Sequence, residues 1–365
     1  MCTMAIRIYR STISRLFLLT LALPQALLLL SSSNLKADEL LDRLTRATKQ
    51  IAVSSRTYTN ERDCFSCHHQ SLPVYALRMA SSVGIQVDES VYQLQDEHTD
   101  RFFWDRREEL EKGKGVPGGP FTAGYALVQY AVSPFEDPKS IEPLLTYLKK
   151  SITEDHWTIR TMRRPPMEGS HFTATALAVA GLRLYQGNIE ELPDLKAVKD
   201  WLVSAQPQTT EDLAYHLFAL HWLQIQTANE LFATKGRLQR SEDVSEAIER
   251  TSQMLLQNQR SDGGWNQTPL DKDSTLESDA YSTGQVLTAL RVVGRLTNRH
   301  TAVEGAKRFL LENQLEDGTW HVVSRANAFQ EYFESGFPHA KDQFISISAT
   351  CWGVIALSTT MKSRP

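Results

Sequence analysis

The sequence predicts an all-α fold over residues 38–365, an (α/α)6 toroid in which six helical hairpins close into a ring. Three observations lead there. Two segments, Gln259 to Trp265 and Gln314 to Trp320, share the pattern Q-x-x-x-G-x-W, with their tryptophans 55 residues apart. Helical patterns that are apolar nearly all round alternate with patterns that are apolar on one stripe only. Alternating β-branched runs, the mark of strands, are nearly absent. The same hairpins could also stack as an open helical solenoid, which is the alternative arrangement.

Residues 1–37 read as an export signal. Arg7, Arg10 and Arg15 precede an apolar run from Leu16 to Leu30 that contains a proline, shorter than the ~20 residues a membrane span needs. Ala37 before Asp38 offers a cleavage point. If the segment stays uncleaved, it is the one part of the chain expected to touch a membrane. Export, to the periplasm or another extracytoplasmic space, is therefore expected.

The one-sided helices are expected at 38–57, 88–111, 138–152, 194–205, 241–258 and 300–313. In the fifth, Val244, Ala247, Ile248, Met254 and Leu255 form a single apolar stripe among charged neighbours. The all-round apolar helices align on Leu77, Tyr130, Leu182, Leu220, Leu290 and Leu357, and they suit an inner ring covered on every side. A worn third copy of the tryptophan turn stands at Asp155-His156-Trp157, without its glutamine. Trp157, Trp265 and Trp320 are expected to pack the repeats.

The formal charge of −4 speaks against a nucleic-acid partner. After the export segment only Cys64, Cys67 and Cys351 remain, too few for a disulfide scaffold. The close pair stands in Cys64-Phe65-Ser66-Cys67-His68. This C-x-x-C-H spacing lets two thiols join the vinyl groups of a haem while the histidine binds its iron, so covalent haem c is the leading expectation, with Cys64, Cys67 and His68 as its holders. A thiol or disulfide redox pair is one alternative. Zinc held by Cys64, Cys67 and His69 is another. On helical geometry His69 is expected beside the site or facing solvent, because adjacent helical residues point about 100° apart.

No separate cytochrome domain fits around this motif, since helical sequence surrounds it at once. It falls where the first outer helix passes into the first inner one. In a ring of hairpins it shares its rim with the loops near 112–121, 153–171, 206–212, 259–279 and 315–343, and loops of such length often carry function. The loop 153–171 offers Met162, Met167, His156 and His171 as distal iron ligands. The same loop offers Arg163 and Arg164 as donors to haem propionates or an anionic substrate. Met79 is expected to pack within the first inner helix. Glu168, Asp279 and Tyr281 are candidate acids, because a carboxylate in an apolar setting is raised in pKa. Asp279 has an ordinary reading as a helix cap.

The two Q-x-x-x-G-x-W segments resemble the QW motifs of the terpenoid cyclase and protein prenyltransferase superfamily, which includes squalene-hopene cyclase-like proteins. The resemblance covers about 38–357 as a repeat pattern, with two good copies, and implies the toroid. The chain is also similar to exported bacterial toroid proteins that carry C-x-x-C-H-H-Q near the start of the ring. The D-x-D-D and D-D-x-x-D strings of terpene-converting enzymes do not occur, so the resemblance is to a scaffold, which does not establish activity. Four functions follow as expectations. They are a haem protein with a redox partner or an apolar substrate, a haem-free cyclase-like enzyme or carrier of apolar ligands, a polysaccharide-acting toroid, and a module that binds another exported protein.

Overall fold

The computed structural model describes residues 38–361, apart from 134, 160–161, 187–192, 235–239, 269–274 and 328–330. Residues 1–37, where an export signal is expected, lie outside the described residues. The described residues hold α-helices, short 3-10 turns, one π turn and two isolated bridges. The outer helices are α1 (38–61), α3 (Ser90–Trp104) with α4 (Arg107–Glu111), α6 (Ile141–Ser151), α8 (Pro193–Ser204), α10 (Glu242–Gln257) and α12 (Thr301–Glu312). The inner helices are α2 (Leu72–Ser82), α5 (Pro120–Val132), α7 (His171–Gln186), α9 (Thr210–Trp222), α11 (Ala280–Val292) and α13 (Gln343–Thr359).

Each inner helix packs on the next in chain order, and α13 returns to pack against α2. The ring therefore closes, and the open solenoid does not apply. Composition explains which helices go inside. Every residue of α7 from Phe172 to Arg183 is buried, as its all-round apolar and small side chains require. On α10 only one stripe is buried, with Met254 at its half-buried edge. Small residues let inner backbones touch. A Cβ on Gly124 would lie 2.6 Å from the Leu177 backbone, and one on Gly284 would lie 2.7 Å from that of Trp352. No described helix is long and apolar enough to cross a membrane.

Three of the six turns between outer and inner helices share one set of bonds. The indole N–H of Trp157 donates to the Leu148 carbonyl (2.9 Å), that of Trp265 to Leu255 (2.7 Å) and that of Trp320 to Leu310 (2.7 Å). Each carbonyl belongs to the outer helix just left. The backbone N–H of the same tryptophans donates to Thr175, Thr283 and Thr350 on the inner helix about to pack. Each tryptophan thus ties both arms of its hairpin, and the worn copy at Trp157 keeps this role. The glutamine does something different. Gln259 donates to its own turn at Gly263 (2.8 Å) and to Ala302 in the next outer helix (2.9 Å). Gln314 does the same toward Gly318 (2.8 Å) and toward Arg43 of α1 (3.2 Å), which joins the last repeat to the first.

The centre of the ring is filled. Phe218 stacks on Trp222 and on Trp352, with Tyr215, Phe232, Tyr75 and Tyr125 around them. All seven are buried. Rings in this offset and edge-on arrangement add attraction beyond the area they bury.

Gly318 needs both its positive φ of 91° and its lack of a Cβ, which would lie 2.5 Å from the Ala47 backbone nitrogen. Gly318→Ala is expected to cost at least about 2 kcal/mol of stability through backbone strain and forced separation from α1. Gln314→Ala is expected to cost about 1 kcal/mol. Urea unfolding of the two variants beside the parent chain measures both.

Candidate functional site at the first inner-helix turn

After α1 ends, an irregular segment that bends at Cys64 leads to extended Ser66 and a π turn, Cys67–Ser71, that runs straight into α2. Ser66 caps it, its hydroxyl accepting from the His69 N–H at 3.2 Å. Gln70 clips it shut, its side-chain oxygen accepting from the Ser66 N–H at 2.7 Å. The Gln70 amide also donates to Thr59 of α1 at 3.3 Å. The glutamine that ends C-x-x-C-H-H-Q therefore shapes the turn and anchors it to the outer helix.

Both cysteines are free thiols, Cys64 exposed and Cys67 buried. The Tyr58 hydroxyl lies 3.1 Å from Cys64 Sγ. Burial pushes the Cys67 thiol up to about 12, so it stays protonated at neutral pH. Burial also holds His68 well below its ordinary pKa and takes His69 down to about 3, with the neighbouring Arg164 charge acting in the same direction. Both rings are neutral imidazoles.

His69 is not at the solvent edge. It is 1% exposed, stacks on Tyr58 at 4.9 Å between centroids, and sets its Nδ1 at 2.5 Å from Nδ1 of His68. The physical reason is the π turn, whose looser winding brings adjacent side chains together where a regular α-helix would splay them. The Ser66 hydroxyl is the second partner of His68 Nδ1, at 3.1 Å. His69 Nε2 is buried with no partner.

Cys64, Cys67 and His68 open on one cavity of about 340 Å³. Its other walls are Pro117 and Gly118 of the turn before α5, the ring of Phe121, and Arg163, Arg164 and Glu168 from the loop before α7. Gly118 sits at a φ of 87° and offers bare backbone on that wall. A second cavity of about 270 Å³ shares Tyr58, His68 and Arg164 with the first and continues toward Phe333 and Phe344. His68 thus stands where the two cavities meet. Glu168 binds back into its own loop, to the Arg164 guanidinium at 3.2 Å and the Arg163 N–H at 3.1 Å. This ties the Arg164 side chain and the Arg163 backbone to one carboxylate beside the cavity.

The four suggested distal ligands are placed elsewhere. Met162 is exposed, and Met167 is buried with its sulfur accepting from Ser348 at 3.2 Å. His156 stacks on Trp201 and bonds Asp155, while His171 Nδ1 accepts from the Ile159 N–H. None of these four lines either cavity. His69 is committed to His68 and Tyr58, and among the described residues no three His, Cys, Asp or Glu side chains converge as a metal-ligating set. Met79 lies half-buried at the far end of α2.

Asp279 caps α11, accepting from the Ser282 N–H at 2.8 Å and from Gln267 at 2.9 Å. Burial still raises its carboxyl to about 6. Tyr281 leads to a group that sequence reading missed, since its hydroxyl donates to buried Glu211 at 2.9 Å. Thr173 donates to the other oxygen of Glu211 at 2.9 Å. Burial raises this carboxyl to about 7, opposed by the adjacent Gln285 amide and by the bonds from Thr173 and Tyr281. Tyr58 and Phe344 were missed as well, because each reaches the turn from an element distant in sequence or on another helix face. The one local signal was Tyr58 six residues before Cys64.

A carboxyl raised in the folded chain contributes stability that is lost as pH climbs through about 7. Glu211→Gln is therefore expected to match the parent at pH 4 and to exceed it at pH 8 by up to roughly 3 kcal/mol. Urea titrations at the two pH values make the comparison, and an equal gain at both would contradict a buried, proton-linked Glu211.

No protein-family profile matches the sequence, and no curated protein matches it significantly. Solved structures do. The chain is similar to type II terpene cyclase MstE from Scytonema, at 15% identity over 86% of this chain and 98% of that one, with a TM-score of 0.50. A variant of the same cyclase in complex with geranylgeranyl dihydroxybenzoate aligns at 12% identity over 88% of this chain and 99% of that one, also with a TM-score of 0.50. A possible member of the GH105 family from Salmonella enterica aligns at 14% identity over 88% and 93%, with a TM-score of 0.49. At such identities the likeness to the cyclase is one of fold, and it places this chain among the α/α toroids.

Proposed function

We propose that this chain is an exported haem c protein whose ring holds the haem at one mouth for a redox role. One observation carries the reading. Two free thiols and a neutral histidine, at C-x-x-C-H spacing, open together on a cavity whose lining also holds Arg106, Arg163, Arg164 and the Gly118 backbone. Cys64 and Cys67 would hold the group as two thioethers, each made by adding S–H across a vinyl C=C with no net oxidation. When bound, the haem supplies reversible one-electron chemistry at its iron.

The protein's own groups support the remaining tasks. His68 acts as the Nδ1–H tautomer, donating to His69 Nδ1 and leaving the Nε2 lone pair for iron. His69 then carries its proton on Nε2, the buried atom without a partner. Tyr58 and Phe344, packed around the histidines, keep water from them. Arg163 and Arg164, which line the same cavity, would hold the anionic edge of the group. Placement of the chemistry at the rim is supported by the filled centre of the ring, where buried aromatic rings occupy the space a large substrate would need. Export belongs to the same reading, because c-type attachment takes place outside the bacterial cytoplasm.

The chain is made with an intact signal and the cytochrome c maturation machinery, then run on a denaturing gel and stained for haem peroxidase activity. One haem per chain is expected, surviving acid-acetone extraction, and Cys64→Ala with Cys67→Ala should remove it. His68→Ala should retain the covalent group with a shifted Soret band. A colourless chain of unmodified mass would overturn the reading, and a mass lower by two hydrogens would point to a disulfide instead.

A further inference from the structure

The second mouth of the ring holds a cavity that the haem reading does not use. It lies where the inner helices end, between the last turns of α2, α5, α11 and α13 and the segment 228–234, and measures about 630 Å³. Volumes of this order suit small-molecule ligands. Its walls are largely apolar, with Tyr75, Met79, Val83, Val132, Phe232 and Met361 among them. Phe232 and Tyr75 also belong to the aromatic plug, so the plug forms the floor of this cavity and separates it from the Cys64 turn.

The charge is one-sided. Among the described residues that line the cavity, the only charged ones are Arg78 and Arg291. Both guanidinium groups are held in place. Arg291 donates to the carbonyls of Leu296 and Thr359, the latter at 2.9 Å. Arg78 lies over the Tyr92 ring at 3.6 Å, with exposed Glu89 3.4 Å away.

We propose that this mouth binds a single-chain amphipath with an anionic head, its apolar body on the aromatic floor and its head at the guanidinium groups of Arg78 and Arg291. A carboxylate or phosphate suits because it carries the opposite charge and only accepts hydrogen bonds. A wholly apolar ligand would gain nothing from the two guanidinium charges, and a small inorganic anion would leave the apolar walls wet. The site does not depend on the haem reading.

The test titrates the full chain with oleate and with oleyl phosphate below their micelle concentrations, following intrinsic tryptophan fluorescence, with methyl oleate and butyrate as controls. Saturable one-to-one binding of an anionic chain is expected, at least tenfold tighter than either control. The relative affinities of oleate and oleyl phosphate tell a carboxylate head from a phosphate one. Arg78→Gln combined with Arg291→Gln should weaken binding tenfold or more, and Ala228→Trp, which fills the cavity from its edge, should abolish it. Lys196→Gln, at an exposed position on α8, should change nothing. Failure of both anionic chains to bind, equal binding of methyl oleate, or binding that survives Ala228→Trp in a folded chain would each overturn the proposal.

Discussion

The ring depends on one repeated device, a tryptophan whose indole N–H is satisfied by the helix it leaves and whose backbone N–H is satisfied by the helix it precedes. A buried indole with an unmet N–H would be costly, so the tryptophan fixes the angle of its hairpin. The glutamine then sets the spacing between hairpins by reaching the next outer helix. Closure is the case that matters most, because Gln314 and Arg43 belong to opposite ends of the chain. With α13 against α2, every inner helix has two inner neighbours, which is why all six can be apolar on every side.

That closure also decides where chemistry can happen. Six apolar helices of this length, packed with large aromatic side chains, leave the middle filled rather than hollow. Among the described residues, cavities remain at the two mouths. One mouth collects the starts of the inner helices and the long loops, with two free thiols and paired imidazoles. The other collects the helix ends, with two arginines and an aromatic floor. The buried aromatic rings around Phe218 lie between the mouths, so each can be changed by mutation without entering the other.

Within the first mouth, the π turn is the decisive local feature. It allows consecutive histidines to hydrogen-bond through their Nδ1 atoms, a contact that regular α-geometry disfavours. Burial keeps both neutral, and neutrality is what lets two imidazoles sit at hydrogen-bond distance without repulsion. Gln70 holds the turn to α1, so the sequence after C-x-x-C-H is part of the site's framework.

Much was legible in the sequence because it is local. Helical periodicity separated inner from outer helices within a few residues, the Gly-x-Trp turn announced the repeat, and C-x-x-C-H announced the two thiols and a histidine. The capping role of Asp279 was legible for the same reason, since a cap bonds its own first turn. What tertiary structure alone decided depends on contacts between residues far apart in the chain. It shut the ring rather than leaving it open, filled its centre, and buried Glu211 under Tyr281 and Thr173. It also took Met162, Met167, His156 and His171 away from the cavity that shared-rim reasoning had assigned them. A shared rim brings loops near one another, but the direction of each side chain is set by whichever partner satisfies it first.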